Sequence, residues 1–307
     1  MGRSGLSVSR LALGTMTWGT GTPIEEARDH LKTYLAAGGD FLDTAYSYGD
    51  GASEELLGSL LGDLVARDDL VICTKAGISR RTGTRVVDTS RRTLMFQLET
   101  SLRRLDTPYV DLWLVHTWSD DTPLDETLSA LEWAVTSGRA RYVGVSNYSG
   151  WQAAHASTLM SSSRIPLVAN EIEYSLLHRR PEDELAAAAA ALGFGLLPWS
   201  PLGRGVLTGK YRHGIPADSR AGSRDGGGLS SLNITDESGQ IVDAVAIAAQ
   251  GMSVSPAEIA LAWVRDRPGV VAPIVGARTT SQLRTALSSE DLELPPELVQ
   301  ALDDVSG

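Results

Sequence analysis

The 307-residue sequence predicts an α/β fold, a (β/α)8 TIM barrel, as a single domain over residues 1–307. Three observations lead there. Short runs of apolar and β-branched residues recur eight times, and stretches with helical spacing separate them. Strand runs apolar on both faces belong to a parallel sheet covered by helices, and eight such units close a barrel. A doubly wound sheet is the alternative. Against it, no Gly-x-Gly-x-x-Gly turn follows the first strand, because the Gly14–Gly21 stretch lacks that spacing.

The expected strands are Leu11–Thr15, Phe41–Ala45, Leu70–Lys75, Val110–His116, Tyr142–Asn147, Leu167–Tyr174, Phe194–Trp199 and Val270–Gly276. Helical spacing marks Ile24–Ala37, Glu54–Leu64, Thr93–Leu105, Leu124–Ser137, Trp151–Met160 and Asp183–Leu192 between them. The rhythm breaks at about 201–235, a glycine-rich stretch followed by helices over Glu237–Ala249 and Pro256–Val264. Arg220–Gly228 within it reads as a mobile loop. In a barrel this insertion lies at the C-terminal face, where ligand lids occur, although an idle surface loop stays open as a reading.

Composition narrows the function. A formal net charge of -11 argues against a polyanion-binding surface, so neither nucleic acid nor acidic membrane is an expected partner. Cys73, the single cysteine, allows no internal disulfide and reads as a small buried strand residue in a reducing compartment. Met1–Arg10 lacks an apolar signal region, and no run is long enough to span a bilayer, so the expected location is cytoplasmic.

In a barrel the residues ending the strands converge on one pocket. Here they are Asp43, then Tyr48 just beyond, Lys75 and His116. A tyrosine is a poor acid near neutral pH unless a cation stabilises its phenolate, and Lys75 is placed to be that cation. Asp43 would keep the lysine charged and fixed, and His116 would orient a carbonyl oxygen towards the phenol. This set suits reduction of a carbonyl group. Trp18, Tyr48, His116, Trp118 and Trp199 are expected to line an aromatic mouth for a small carbonyl substrate, with Trp113, Trp133 and Trp263 in the core.

The sequence also resembles the aldo-keto reductases, in the branch related to potassium-channel β subunits, over nearly its whole length. The resemblance is carried by Phe41-Leu42-Asp43-Thr44-Ala45-Tyr46-Ser47-Tyr48-Gly49, by Leu102-Arg103-Arg104-Leu105 through Tyr109-Val110-Asp111-Leu112 to His116, and by Gly144-Val145-Ser146-Asn147-Tyr148. It implies a catalytic tetrad of Asp43, Tyr48, Lys75 and His116, with Tyr48 as proton donor and NADPH as cofactor, NADH being the alternative. It implies further that Ser146 and Asn147 hold the nicotinamide carboxamide and that Trp199 stacks on the ring. Ser200, Leu202 and Gly205, with Arg204 and Lys210, would embrace the pyrophosphate; Gly276, Arg278 and Gln282 would meet the adenosine phosphate. Gly14, Thr15, Asp43 and Glu171 complete the expected cofactor contacts.

Two positions depart from that pattern. Glu171 stands where the family usually has a glutamine beside the nicotinamide, and an ionised carboxylate accepts hydrogen bonds but cannot donate them. Ala286 stands where an asparagine commonly meets the adenine. The amino-terminal hairpin also looks abbreviated. The expected activity is NADPH-dependent reduction of an aldehyde, ketone or keto sugar. A nucleotide-sensing binding module is the alternative, though such a module has no need of all four catalytic groups. A metal-dependent hydrolase ranks last, because only His116 among five histidines ends a strand. The homologous barrels occur as monomers and as rings, leaving a homo-oligomer open.

Overall fold

The computed structural model describes residues 1–80, 82–212, 214 and 235–307. Arg220–Gly228, expected as a mobile loop, lies outside the described residues. Eight parallel strands form the barrel: β1 (Ala12–Gly14), β2 (Phe41–Asp43), β3 (Val71–Ala76), β4 (Val110–Val115), β5 (Ala140–Ser146), β6 (Leu167–Glu173), β7 (Gly195–Trp199) and β8 (Ile274–Val275). Their spatial order is β8-β1-β2-β3-β4-β5-β6-β7. Closure comes just before β8, where the Leu196 N–H donates to Gly269 O at 2.8 Å and the Val271 N–H to Leu196 O at 2.9 Å. The last strand is thus shorter than the expected 270–276, its first half serving as the closing seam.

Between the strands lie α1 (Ile24–Ala36), α2 (Ala52–Leu60), α3 (Arg91–Arg104), α4 (Leu124–Thr136), α5 (Gly150–Ser162) and α6 (Leu185–Leu192). They are followed by α7 (Asp236–Met252), α8 (Pro256–Arg265), α9 (Thr280–Leu287) and α10 (Pro296–Ser306). The starts are locally encoded. Ser90 accepts from the Thr93 N–H at α3, and Ser149 with Gln152 and Ser255 with Glu258 form reciprocal capping boxes at α5 and α8. α2 stops at Leu60 rather than Leu64, because Leu61 is extended and starts a turn paired with Val65. α9 and α10 extend beyond the last helix expected from the spacing.

Strand parity sorts the side chains. Phe41, Cys73, Leu112, Leu114, Ala169 and Leu197 fill the barrel interior, while Leu42, Ile72, Trp113 and Val115 face the helices. Met1 and Val8 pack against the interior cluster, so the amino-terminal segment contributes to the floor with no hairpin strand of its own. α7 and α8 bury Val245, Ala249, Ile259 and Trp263 in a second apolar cluster with Leu302 of α10. Among the described residues no single helix is long and apolar enough to cross a membrane.

Gly144 in β5 is required by packing. A Cβ there would lie 2.4 Å from Ala169 O of β6 and 2.8 Å from a Leu114 methyl. Backbone cannot yield as a flexible side chain does, so we expect Gly144→Ala to lower the unfolding free energy by about 1–3 kcal/mol, measured by urea denaturation.

Candidate active site

The parity that places Phe41 and Cys73 inside also places Asp43 and Lys75 inside, one layer nearer the C-terminal mouth. Glu171 follows Ala169 on β6 in the same way, and His116 follows Leu114 on the β4 side. Pairing of β2 with β3 continues past the strand end through Thr44 N–H to Cys73 O and Tyr46 N–H to Lys75 O. The chain then turns through Tyr48–Gly51 into α2.

That turn is braced from behind. Arg104, in the last turn of α3, donates to Tyr46 O at 3.0 Å, to Asp50 O at 3.2 Å and to the fully buried Glu54 at 3.0 Å. Thr74 donates to the other Glu54 oxygen at 2.7 Å. Gly51, at φ 110°, sits against the guanidinium, where a Cβ would come within 2.3 Å of it. The Leu102–Leu105 motif therefore fixes the Tyr48 turn, and Asp111 of the next motif pairs with Arg67 at 2.6 Å and accepts from Ile72 N–H. Neither role is signalled by the local pattern of these motifs, because both contacts are non-local.

At the centre is Lys75, with no exposed surface. Its ammonium lies 2.6 Å from Asp43 Oδ1, 3.0 Å from Thr44 O, 3.1 Å from Glu171 Oε2 and 3.3 Å from Tyr48 Oη. Burial alone would strip its proton, but Asp43 and Glu171 outweigh burial and hold the ammonium well above the ordinary lysine value. Burial holds the Asp43 carboxyl above its ordinary value even though Lys75 pulls against that rise. Burial and the Asp43 charge push the Glu171 carboxyl up to about 8 against the pull of Lys75.

The Tyr48 phenol departs from the sequence expectation. Burial raises it above the usual tyrosine value; Lys75 pulls it down and Asp43 and Glu171 push it up again, so the net shift is upward. The lysine makes the phenol a better acid than it would otherwise be here; it does not bring it below an ordinary tyrosine.

His116 stands edge-on to the Tyr48 ring, centroids 6.0 Å apart. Its Nδ1 is buried without a partner. Burial, then Lys75, Arg85 and Arg80, hold the imidazole well below its ordinary value, so it is neutral. The two arginines lie on a hairpin beyond β3 that pairs Ile78–Ser79 with Val86–Val87. Asn147, at φ 57°, donates to His116 O at 2.9 Å and to Ser146 Oγ at 3.0 Å, and accepts from Trp199 Nε1 at 3.0 Å. β4, β5 and β7 are thereby locked together at the mouth.

Other expected contacts are placed differently. Trp18 is fully buried in the outer apolar cluster and does not line an open mouth; Met16, just past the end of β1 and 41% exposed, is the nearby apolar side chain that faces outwards. Thr15 is buried, its hydroxyl bonded to Asp43 O and Ser53, so the side chain steadies β2. Gly14 packs against Ile274, where a Cβ would lie 2.8 Å from a methyl. Trp118 stacks edge-on with Tyr148 and Trp151.

Ser200 and Arg204 have positive φ, and Gly203 and Gly205 continue a compact turn through Leu202. Arg204 lies 3.7 Å from Glu173, and Lys210 Nζ lies close to Gly205. At the start of α9, Gln282 accepts from the Arg278 N–H at 3.0 Å, while exposed Gly276 leaves its surroundings open. Glu26 of α1 takes both the N–H and the hydroxyl of Thr280, a contact no local signal in the sequence revealed. Ala286 is buried in the core.

The aldo/keto reductase family model matches residues 10–306. A rice protein named "Probable voltage-gated potassium channel subunit beta" (Oryza sativa subsp. japonica) is 35% identical across 99% of this chain and 95% of its own length. The "Uncharacterized oxidoreductase YrpG" of Bacillus subtilis (strain 168) is 33% identical, covering 99% of this chain and 94% of that protein. The "L-glyceraldehyde 3-phosphate reductase" of Escherichia coli O157:H7 is 36% identical over 92% and 84%. The chain belongs to the aldo-keto reductase family and is an NAD(P)-dependent oxidoreductase.

A neutral His116 has a spectroscopic consequence. We expect its ring nitrogen resonances to stay those of neutral imidazole from pH about 8 down through the ordinary histidine range near about 6.5, measured by 15N NMR.

Proposed function

We propose that the protein reduces the carbonyl group of a small aldehyde, ketone or keto sugar with NADPH, Tyr48 giving the proton. The observation that carries this reading is the contact of Lys75 with both Tyr48 and Asp43 in buried surroundings. The residues fit a nicotinamide: His116 Nδ1 and Glu171 Oε2 are buried polar atoms without hydrogen-bond partners, and Ser146, Asn147 and Trp199 form one bonded set beside them. When bound, the reduced nicotinamide supplies hydride.

Ser146, Asn147 and Glu171 would hold its carboxamide, with the Trp199 indole fixed by Asn147 to present one face to the ring. The turn at Ser200, Leu202 and Gly205 would embrace the pyrophosphate with Arg204 and Lys210, and Gly276, Arg278 and Gln282 would take the adenosine phosphate. Neutral His116 orients the substrate oxygen towards Tyr48, whose phenolic proton passes to that oxygen as negative charge develops on it. Lys75, 3.3 Å from the phenol oxygen, stabilises the phenolate left behind.

Arg80 and Arg85 add a bias towards anionic substrates, since their charge already reaches His116 in a chain of net charge -11. A phosphorylated aldehyde, the kind named for the Escherichia coli relative, fits this field. A pure binding module would not need the complete Asp43, Tyr48, Lys75 and His116 set.

Tyr48→Phe tests the reading. Turnover, followed as NADPH absorbance loss, is expected to fall at least about 100-fold, with NADPH binding by fluorescence unchanged. The wild type is expected to show a lower KM for a phosphorylated aldehyde than for its uncharged parent. Undiminished turnover in Tyr48→Phe would contradict the assignment.

A further inference from the structure

We propose that Glu171 is a positioning residue that stays protonated beside the Asp43–Lys75 pair, and that losing this proton at alkaline pH shuts down proton donation by Tyr48. The inference rests on the reductase reading of the same site and adds a titratable group to it.

The geometry crowds two carboxyl groups around one ammonium. Asp43 Oδ1 lies 2.6 Å from Lys75 Nζ and Glu171 Oε2 lies 3.1 Å from it, both side chains almost entirely buried. A carboxylate oxygen of Glu171 and one of Asp43 fall within 4.8 Å of each other. The titratable groups facing Glu171 are Asp43 of β2, Tyr48 in the turn beyond it, and Cys73 and Lys75 of β3; neutral His116 of β4 stands across the Tyr48 ring. Lys75 is the one cation at this contact among the described residues. One ammonium neutralises one carboxylate, and two like charges this close do not both ionise readily.

Asp43 has the shorter contact with Lys75, so Asp43 keeps the charge and Glu171 keeps the proton. Oε2 of Glu171 is out of hydrogen-bonding alignment with the ammonium despite its distance, as suits a group that is not the main acceptor. With Glu171 neutral, Asp43 and Lys75 cancel, and the phenolate formed when Tyr48 gives up its proton faces an ammonium 3.3 Å away. With Glu171 ionised, a second negative charge opposes that phenolate in a buried site, where such charges are weakly screened. The neutral carboxyl also offers one donor and one acceptor, the capacity of an amide, which an ionised carboxylate lacks.

The test compares wild type with Glu171→Gln. In wild type, kcat for carbonyl reduction is expected to fall by about tenfold per pH unit above about 8, and in Glu171→Gln this limb moves to higher pH or disappears. A readout on the protein alone accompanies it. Infrared difference spectra are expected to show a protonated-carboxyl band that vanishes as pH rises through about 8, shifts on 13C-glutamate labelling, and is missing in Glu171→Gln.

Stability follows the same proton. The raised Glu171 value stabilises the fold below the ordinary carboxyl value near 4.5, and this contribution is lost as pH rises to about 8, so wild type is expected to weaken relative to Glu171→Gln across that window. An unchanged alkaline limb in Glu171→Gln, or no glutamate band in the labelled wild type, overturns the proposal. The infrared result needs no turnover, so it stands or falls separately from the Tyr48→Phe result; it also remains available should Glu171→Gln fail to fold.

Discussion

Everything at the mouth of this barrel depends on one buried ammonium. Lys75 has no exposed surface, and a lone charge so placed would be costly enough to lose its proton. The Asp43 carboxylate at 2.6 Å and Glu171 beyond it keep it charged, and Thr44 O at 3.0 Å takes another of its hydrogens. Removing one partner of such a pair typically costs about 3–5 kcal/mol, because the other charge is left uncompensated. The pair is thus both a structural requirement and the source of the field at Tyr48.

The frame converts sequence into that geometry by two means. Alternation along β2, β3 and β6 turns Asp43, Lys75 and Glu171 inwards above the apolar layer of Phe41, Cys73 and Ala169. Irregular segments then need separate fixing. Arg104 and Glu54 hold the Tyr48 turn from the helix side, and Asn147 ties His116 O to the Trp199 indole across three strands. Rigid strands carry three of the charged groups, and braced turns aim the rest.

The eight strands were legible because continuous apolar runs and helical spacing are strong local signals, and the inward charges followed from where those strands end. What stayed hidden was non-local. Glu171 reads as a cofactor contact in the sequence, and its approach to Lys75 depends on β6 lying across the barrel from β3. Trp18 looks like a mouth residue by position, yet the chain folds it into the outer core and leaves Met16 outside. The net rise at Tyr48 could not be foreseen from residue types alone, because it is a balance of burial and three charges. The Glu26 contact with Thr280 joins segments 254 residues apart.

On the proposed reading, the Trp199 face held by Asn147, together with Tyr48 and Lys75, sets one geometry for hydride transfer. The decisive measurement uses NADPH deuterated separately at each face of the nicotinamide C4 and follows deuterium in the product alcohol by mass spectrometry. Transfer from one labelled cofactor and none from the other is the predicted result. Label from both faces, or from neither while the carbonyl is consumed, would contradict it.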